Sequence, residues 1–453
     1  MNAAARRIRA AFFALIAHSR RTRRLTPDPP GTATQRISRS EHSISRAQIS
    51  KSALNVLYGL RRAGYEACLV GGGVRDLLLG FTPKDFDVAT DATPEQIRDT
   101  FRNARLIGRR FRLAHVRFGA EIIEVATYRG HHDGEGNGEG RLEGDRIVRD
   151  NVFGTREEDA LRRDFTVNAL FYDISDFSLV DHVGGFEDLQ QRRLRMIGDP
   201  DRRYREDPVR LLRAVRLATK LGLEIEPATQ APLHQLAGLL SDVPQARLFD
   251  EILKMLLAGC GLRTYEALRH YDLLEALFAQ QPGEREQRMI AAALRNTDER
   301  IADGRPVTPA FLFAVLLWPD FSGTLQQLRD SGENLHQAIH RARDGAFARQ
   351  SEQVNIPKRF ALTAGEIWEL QLRLERRRGG RAKRLMAHPR FRAAYDFLVL
   401  RAEVGEDLGD AVSYWSQMQE GQEPQAAEQA DEQAPPRRRR RRRPRRRRPA
   451  DAS

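Results

Sequence analysis

The sequence predicts an α+β chain: a small mixed-sheet head followed by an all-helical neck and body, with disordered termini. Three patterns predict it. Apolar runs and alternating segments separated by glycine turns occupy residues 46–193. Beyond Leu194 strand signals fade and helical periodicity takes over, giving a neck over 194–260 and a body over 261–415. The ends read as a basic leader over 1–45, punctuated by Pro27, Pro29, Pro30 and Gly31, and an Arg-rich tail over 416–453. Both ends carry too little apolar surface to offset the entropy of ordering them. A chain of 453 residues exceeds one ordinary core, so more than one domain is expected.

Taken in order, the leader holds one apolar stretch, Ala10 to Ala17, between Arg6, Arg7, Arg9 and Arg20, Arg21. It reads either as a loosely attached leader or as a short basic amphipathic helix in peripheral contact with a membrane surface. No apolar run approaches the roughly twenty residues of a membrane span. From Ile49, apolar positions at Ala53, Leu54, Leu57 and Leu60 follow a helical period. A strand, Ala67 to Val70, then meets Gly71-Gly-Gly73, a helix predicted from Val74, a turn from Gly80 to Pro83, and Asp85-Phe-Asp87 on a further strand. Strands are also predicted at Arg105–Ile107, Ala114–Phe118 and Ile122–Thr127, where Ile122, Glu124 and Ala126 share a face. His131 to Gly144 is glycine-rich and charged, and reads as a mobile loop. Helical breaks are expected near Gly222–Pro227, Ser241–Pro244, Asn296–Pro309 and Asn355–Lys358.

The net charge of +13 is mostly a property of the tail: Arg437 to Arg443 and Arg445 to Arg448 supply eleven of those charges, leaving about +2 for the rest. Such a run adds salt-sensitive, sequence-independent affinity for a polyanion. Only Cys68 and Cys260 are present, both in apolar surroundings, which suits buried reduced thiols in a cytoplasmic protein and excludes a disulfide framework.

The chemistry concentrates in Leu69 to Asp87. Glycines let backbone N–H groups approach a triphosphate. Two carboxylates one residue apart on a strand point to one face and together hold divalent metal, while Phe86 turns into the core. No Walker pattern occurs, which disfavours a motor-type ATPase. Glu124, flanked by Ile122, Ile123 and Val125, is read as a third carboxylate near the pair. In Arg162-Arg163-Asp164, the guanidiniums offer forked donors to phosphate and Asp164 accepts from a ribose hydroxyl or assists the metals. Asp207 suits the N-cap of a helix with Pro208 in its first turn. On that helix Leu211, Val215 and Ala218 form one face and Arg210, Arg213, Arg216 and Lys220 a stripe opposite. Taken alone, that stripe is a solvated face; as a functional surface, Asp207 and Arg210 can read the edge of a base.

Leu69 to Asp87, Arg162 to Leu170 and Arg203 to Leu217 together resemble the motifs of class II nucleotidyltransferases, the family of bacterial poly(A) polymerases and CCA-adding enzymes. Leu106 to Val116, Glu121 to His131, Pro389 to Asp396 and the arginine-rich end are similar to the poly(A) polymerase branch, with motifs in order over about residues 35–405. The resemblance implies a catalytic set of Asp85, Asp87 and Asp164, to which the strand reading adds Glu124, and magnesium, which manganese can replace, on Asp85 and Asp87. It implies that Gly71, Gly72 and Arg75 meet the triphosphate of ATP, that Arg163 contacts the nucleotide, and that Asp207 and Arg210 face the adenine, with Arg213 beside them. RNA 3′ ends would lie along Arg216, Lys220 and the tail, represented by Arg437, Arg440 and Arg445. The activity implied is template-independent addition of AMP to RNA, with RNA-degradation machinery as a partner. Two alternatives stay open: a CCA-adding enzyme, which shares the Asp207/Arg210 pattern, and a non-catalytic RNA-binding scaffold.

Overall fold

The computed structural model describes residues 34–108, 112–130, 138–143, 146–376 and 379–421. Its centre is an eight-stranded sheet ordered β1-β10-β9-β2-β3-β6-β5-β4. The strands are β1 Gln35–Ile37, β2 Ala67–Val70, β3 Asp87–Thr90, β4 Ala104–Ile107, β5 Leu113–Phe118, β6 Glu121–Thr127, β9 Leu170–Asp173 and β10 Leu179–Asp181. Every neighbouring pair is antiparallel except β3 and β6. That one parallel pair needs a crossover, supplied by helix α3 (Pro94–Thr100) and the β4–β5 hairpin.

Strand β2 is apolar throughout because both its faces are covered. Leu69 packs with Val56, Leu57 and Leu60 of helix α1 (Lys51–Arg62) in the main core, while Cys68 and Val70 join Tyr128, Phe171 and Ile197 on the other face. Helix α2 (Gly72–Leu78) starts at Gly72, two residues before the predicted Val74, because Gly71 takes φ +75° and turns the chain straight out of β2. Asp85 lies just before β3, not within it, and Phe86 is buried as predicted. Both cysteines are free and buried.

Three expectations about irregular segments need correction. Within the stretch read as leader, β1 is an edge strand, and Ile37 and Ile44 are core residues; Ala10 to Ala17 lies outside the described residues. In the glycine-rich segment read as a mobile loop, β7 (Gly138–Glu143) pairs with β8 (Arg146–Val152) in an antiparallel ribbon. Alternation across a ribbon tolerates glycine when the two strands satisfy each other's backbone groups, which composition alone does not reveal. At the other end, helix Gly409–Glu420 crosses the predicted start of the tail and buries Trp415.

Beyond the sheet the elements are helices α4 (Arg156–Arg162), α5 (Gly185–Gln190), α6 (Pro200–Glu206), α7 (Val209–Leu221), α8 (Pro227–Gln230), α9 (Pro232–Leu236), α10 (Gln245–Leu256) and α11 (Gly261–His270). They continue as α12 (Glu284–Ala302), α13 (Pro309–Leu316), α14 (Trp318–Asp330), α15 (Leu335–Gln353), α16 (Lys358–Glu375), α17 (Gly379–Met386), α18 (Phe391–Glu403) and α19 (Gly409–Glu420). One short parallel pair, β11 (Arg193–Leu194) with β12 (Glu224–Ile225), interrupts the helical neck. Asn296, predicted as the start of a break, lies inside α12; the break begins at Asp303, where the apolar period stops. Asp207 is not an N-cap. Pro208 holds that position of α7, and the Asp207 carboxylate turns to Arg247 instead. In the body, Trp368 stacks between Phe321 and Phe347 at 4.5 and 5.2 Å, which anchors α16 against α14 and α15.

Candidate active site

A cleft of ≈ 560 Å³ lies where the β2–α2 turn of the head faces helices α7 and α10 of the neck. On the head side, Gly71 must be glycine: its φ of +75° is strained for any side chain, and an added Cβ would sit 3.5 Å from Arg163 Nη1 and 3.8 Å from Asp87 Oδ2. A Cβ added at Gly73 would sit 3.3 Å from the Asp85 carbonyl, tighter than an ordinary contact, so glycine there lets the start of α2 pack closely on the acidic segment. The β3–β6 pairing sets Asp87 opposite Glu124, and β5 and β4 extend the row through His115 and Arg105. His115 Nε2 lies 3.2 Å from Glu124 Oε1.

Asp85 and Asp87 accept no hydrogen bond from a described residue, whereas Arg75, Arg163 and Asp164 beside them are hydrogen-bonded. Burial pushes the Asp87 carboxyl up to about 6, with Glu124 and Asp85 adding like-charge repulsion that Arg163 only partly offsets. A site with that profile favours a cation. Among the described residues no three His, Cys, Asp or Glu side chains converge as a closed metal cage. Two carboxylates are nevertheless the donor set magnesium uses when water and substrate phosphates complete its shell, so the residues present fit a divalent ion.

Asp164 is the opposite case. It is buried, and its Oδ2 accepts Arg213 Nε at 2.8 Å and Nη2 at 2.5 Å, while Oδ1 accepts Asn168 Nδ2 at 3.0 Å and the Phe165 N–H at 2.8 Å. Burial alone would raise its pKa; the Arg213 charge and these hydrogen bonds overcome burial and hold the carboxyl far below the usual range. Asn168 also accepts from Arg75 Nη1 at 2.5 Å, and Arg75 donates to Asp76. Arg163 grips Asp159 at 2.7 Å and lies over the Phe171 ring at 5.3 Å.

The neck wall is a lattice of paired charges. Arg210 Nη1 donates to Glu206 at 3.3 Å and to the Arg203 carbonyl at 2.7 Å. Arg203 in turn donates to the carbonyls of Arg162 and Arg163, tying α6 to the head. Arg216 and Lys254 share Glu251, each at 2.9 Å, and Arg247 holds Asp207 through two bonds of 3.0 Å.

Gly71, Gly72, Arg75, Asp85, Asp87, Arg163, Asp164, Asp207, Arg210, Arg213 and Arg216 therefore all line one cleft. Glu124 adjoins it through Asp87 but is not buried as its neighbours suggested: its side chain is 53% exposed, because Ile123 and Val125 alone take the core face. Lys220, one turn beyond Arg216, is exposed and outside the cleft lining. Arg437, Arg440 and Arg445 lie outside the described residues. Residues absent from the sequence-based set are Asn168, Arg203, Arg247, Glu251 and Lys254. The last three left a legible signal, since Arg247, Glu251 and Lys254 fall at i, i+4 and i+7 and mark a charged stripe on α10.

Family models match three segments: "Poly A polymerase head domain" over residues 67–195, "Probable RNA and SrmB- binding site of polymerase A" over 222–283, and "Polymerase A arginine-rich C-terminus" over 331–449. Poly(A) polymerase I of Escherichia coli O157:H7 is 52% identical over 398 residues, covering 84% of this chain and 85% of that protein. The chain belongs to the poly(A) polymerase family. Another poly(A) polymerase I, from Haemophilus influenzae, is 45% identical, covering 84% of this chain and 87% of that protein. The CCA-adding enzyme of Geobacillus stearothermophilus is a more distant relative, 34% identical over 54% of this chain and 58% of its own length. Among solved structures, the CCA-adding enzyme of Bacillus stearothermophilus in complex with CTP superposes with TM-score 0.55 at 26% identity, over 81% of this chain and 80% of that one. A tRNA nucleotidyltransferase complexed with a primer tRNA and an incoming ATP analog shares the fold, with TM-score 0.57 at 22% identity, covering 81% and 98%. Among the described residues no helix is long and apolar enough to cross a membrane.

Proposed function

We infer that this chain is a polynucleotide adenylyltransferase, which extends RNA 3′ ends with AMP from ATP, without a template, and releases pyrophosphate. The observation that carries the reading is the meeting of two unpartnered carboxylates, a glycine turn and an arginine-lined helix in one cleft. A divalent ion pair held by Asp85 and Asp87, magnesium or manganese, would lower the pKa of the RNA 3′ hydroxyl and neutralise the leaving pyrophosphate. The chain's own groups do the positioning. Backbone N–H groups of the Gly71–Gly72 turn and the guanidiniums of Arg75 and Arg163 take the triphosphate. Asp164 orders the site by holding Arg213 and Asn168, and Glu124 adds negative charge beside Asp87. Asp207 accepts from, and Arg210 donates to, the adenine edge, with Arg247 fixing the Asp207 carboxylate in plane. Arg216, Lys220 and the tail arginines, among them Arg437, Arg440 and Arg445, meet the RNA backbone.

The reading extends to RNA turnover in the cytoplasm, where an added 3′ tail gives exonucleases of the degradation machinery a single-stranded foothold. Incubation with a generic RNA and each nucleoside triphosphate separately tests the activity. Long products from ATP alone are expected. Defined CTP incorporation on tRNA would transfer the assignment to the CCA-adding branch, and no incorporation with either metal would leave an RNA-binding scaffold.

A further inference from the structure

In the helical body a second pocket, of ≈ 450 Å³, lies between the end of α16, α17 and α19. Its rim carries Arg373, Arg376, Arg384 and His388, and Ala382, Leu385 and Trp415 form the rest of its lining. The charge balance here differs from that of neighbouring surfaces. Arg390 pairs with Glu366 at 3.1 Å, Arg401 with Glu375 at 2.8 Å and Arg392 with Asp396 at 3.0 Å. Among the described residues, Arg373, Arg376 and Arg384 donate to no carboxylate and no acidic side chain lines the pocket.

His388 completes the pattern. Its Nδ1 accepts the Arg390 N–H at 3.1 Å, so the neutral imidazole carries its proton on Nε2 and adds another donor. Trp415 Nε1 is already bonded to the Leu374 carbonyl at 2.9 Å, which leaves its ring as apolar wall only. A rim of donors without acceptors over an apolar floor matches a ligand with an anionic edge and a flat apolar body. A nucleotide unit of single-stranded RNA has both, a phosphodiester for the guanidiniums and a sugar and base for the floor.

We propose that this pocket is a second RNA-binding site, which holds the phosphodiester backbone of the strand away from the 3′ end being extended. It rests on the RNA-substrate reading above. The site is lined by residues 373–415 of the body helices, which precede the arginine-rich run in the sequence. It gives the enzyme a hold on long substrates that the active-site cleft does not supply.

The test is the triple variant Arg373→Gln, Arg376→Gln, Arg384→Gln in the full chain, which keeps hydrogen-bonding stems and removes three exposed charges. RNA binding is measured across a salt series with a long oligoadenylate, alongside AMP incorporation into a short primer. Each phosphate contact to a single strand contributes about 0.7 to the slope of log affinity against log salt, so the variant's slope should fall by roughly 2. Affinity for the long strand should drop about tenfold or more at low salt, while short-primer incorporation stays within about twofold. An unchanged slope overturns the proposal, as does displacement of the long strand by AMP or inorganic phosphate at matched phosphate concentration, which would make the pocket a small-anion site. Equal loss of short-primer incorporation would also overturn it. Loss of incorporation by the unmodified chain would instead count against the adenylyltransferase reading.

Discussion

The two walls of the active-site cleft are built on opposite electrostatic plans. On the head wall, Asp85 and Asp87 have no donor among the described residues, and burial and mutual repulsion push Asp87 up to about 6. On the neck wall every charge has a partner: Arg213 with Asp164, Arg210 with Glu206, Arg247 with Asp207, and Arg216 with Glu251. Unpaired like charges raise the free energy of the empty site and make it a strong cation receptor, while paired charges fix geometry at little net cost. The head wall therefore keeps two carboxylates free, and the neck wall has its charges fixed by one another.

Removing either head-wall carboxylate tests the contrast most severely. Asp87→Ala, or Asp85→Ala, should lower AMP incorporation by at least about 10³-fold with RNA affinity intact, and chelation of divalent ions should reproduce the loss in the unmodified protein. Incorporation within tenfold of normal would show that the cation does not depend on these groups.

Asp164→Asn probes the paired side. It leaves the partly exposed Arg213 guanidinium beside a neutral amide, so stability to urea should fall by about 1–3 kcal/mol. The pH dependence follows the same pair. The folded-state pKa of Asp164 is depressed, so its contribution is fully present above the unfolded carboxylate pKa of about 4 and is lost as pH falls below that value. The variant should lack this acid-side loss; identical acid titrations of stability in variant and parent would refute the assignment.

A milder effect is expected at Arg247→Ala, which releases a partly buried carboxylate from a two-bond clamp. The KM for ATP should rise about tenfold with a smaller change in kcat, the signature of a lost orienting contact. If kcat falls as far as KM rises, Arg247 acts on the transition state and not through Asp207. Lys220→Ala marks the edge of the cleft. Its side chain is exposed beyond Arg216, so ATP parameters should move less than about twofold and RNA affinity only slightly.

Much of the fold was legible because the governing patterns are local. The apolar run Ala67–Val70, the glycine turn and the two aspartates follow one another within about twenty residues, and chain connectivity alone brings them together. Their alternation told Phe86 from its neighbours because side-chain direction in extended backbone has period two. The same locality explains the misreadings. Gln35–Ile37 is a strand only because a distant partner, β10, satisfies its backbone groups, and Gly138–Glu143 only because it pairs with the neighbouring β8, which its composition does not record. Glu124 looked buried because its neighbours are apolar, yet alternation sends it to the other face.

By itself, then, the sequence determined which residues are candidates for the chemistry, since glycine turns, paired carboxylates and arginine stripes depend on residue type and short spacing. Only the tertiary structure decided which of those charges are free and which are spent. The partners of Asp164, Asp207 and Arg216 lie 35 to 49 residues away in the chain. Whether a carboxylate binds a cation or an arginine depends on what the packing of neck against head puts within 3 Å of it, and no local pattern records that distance.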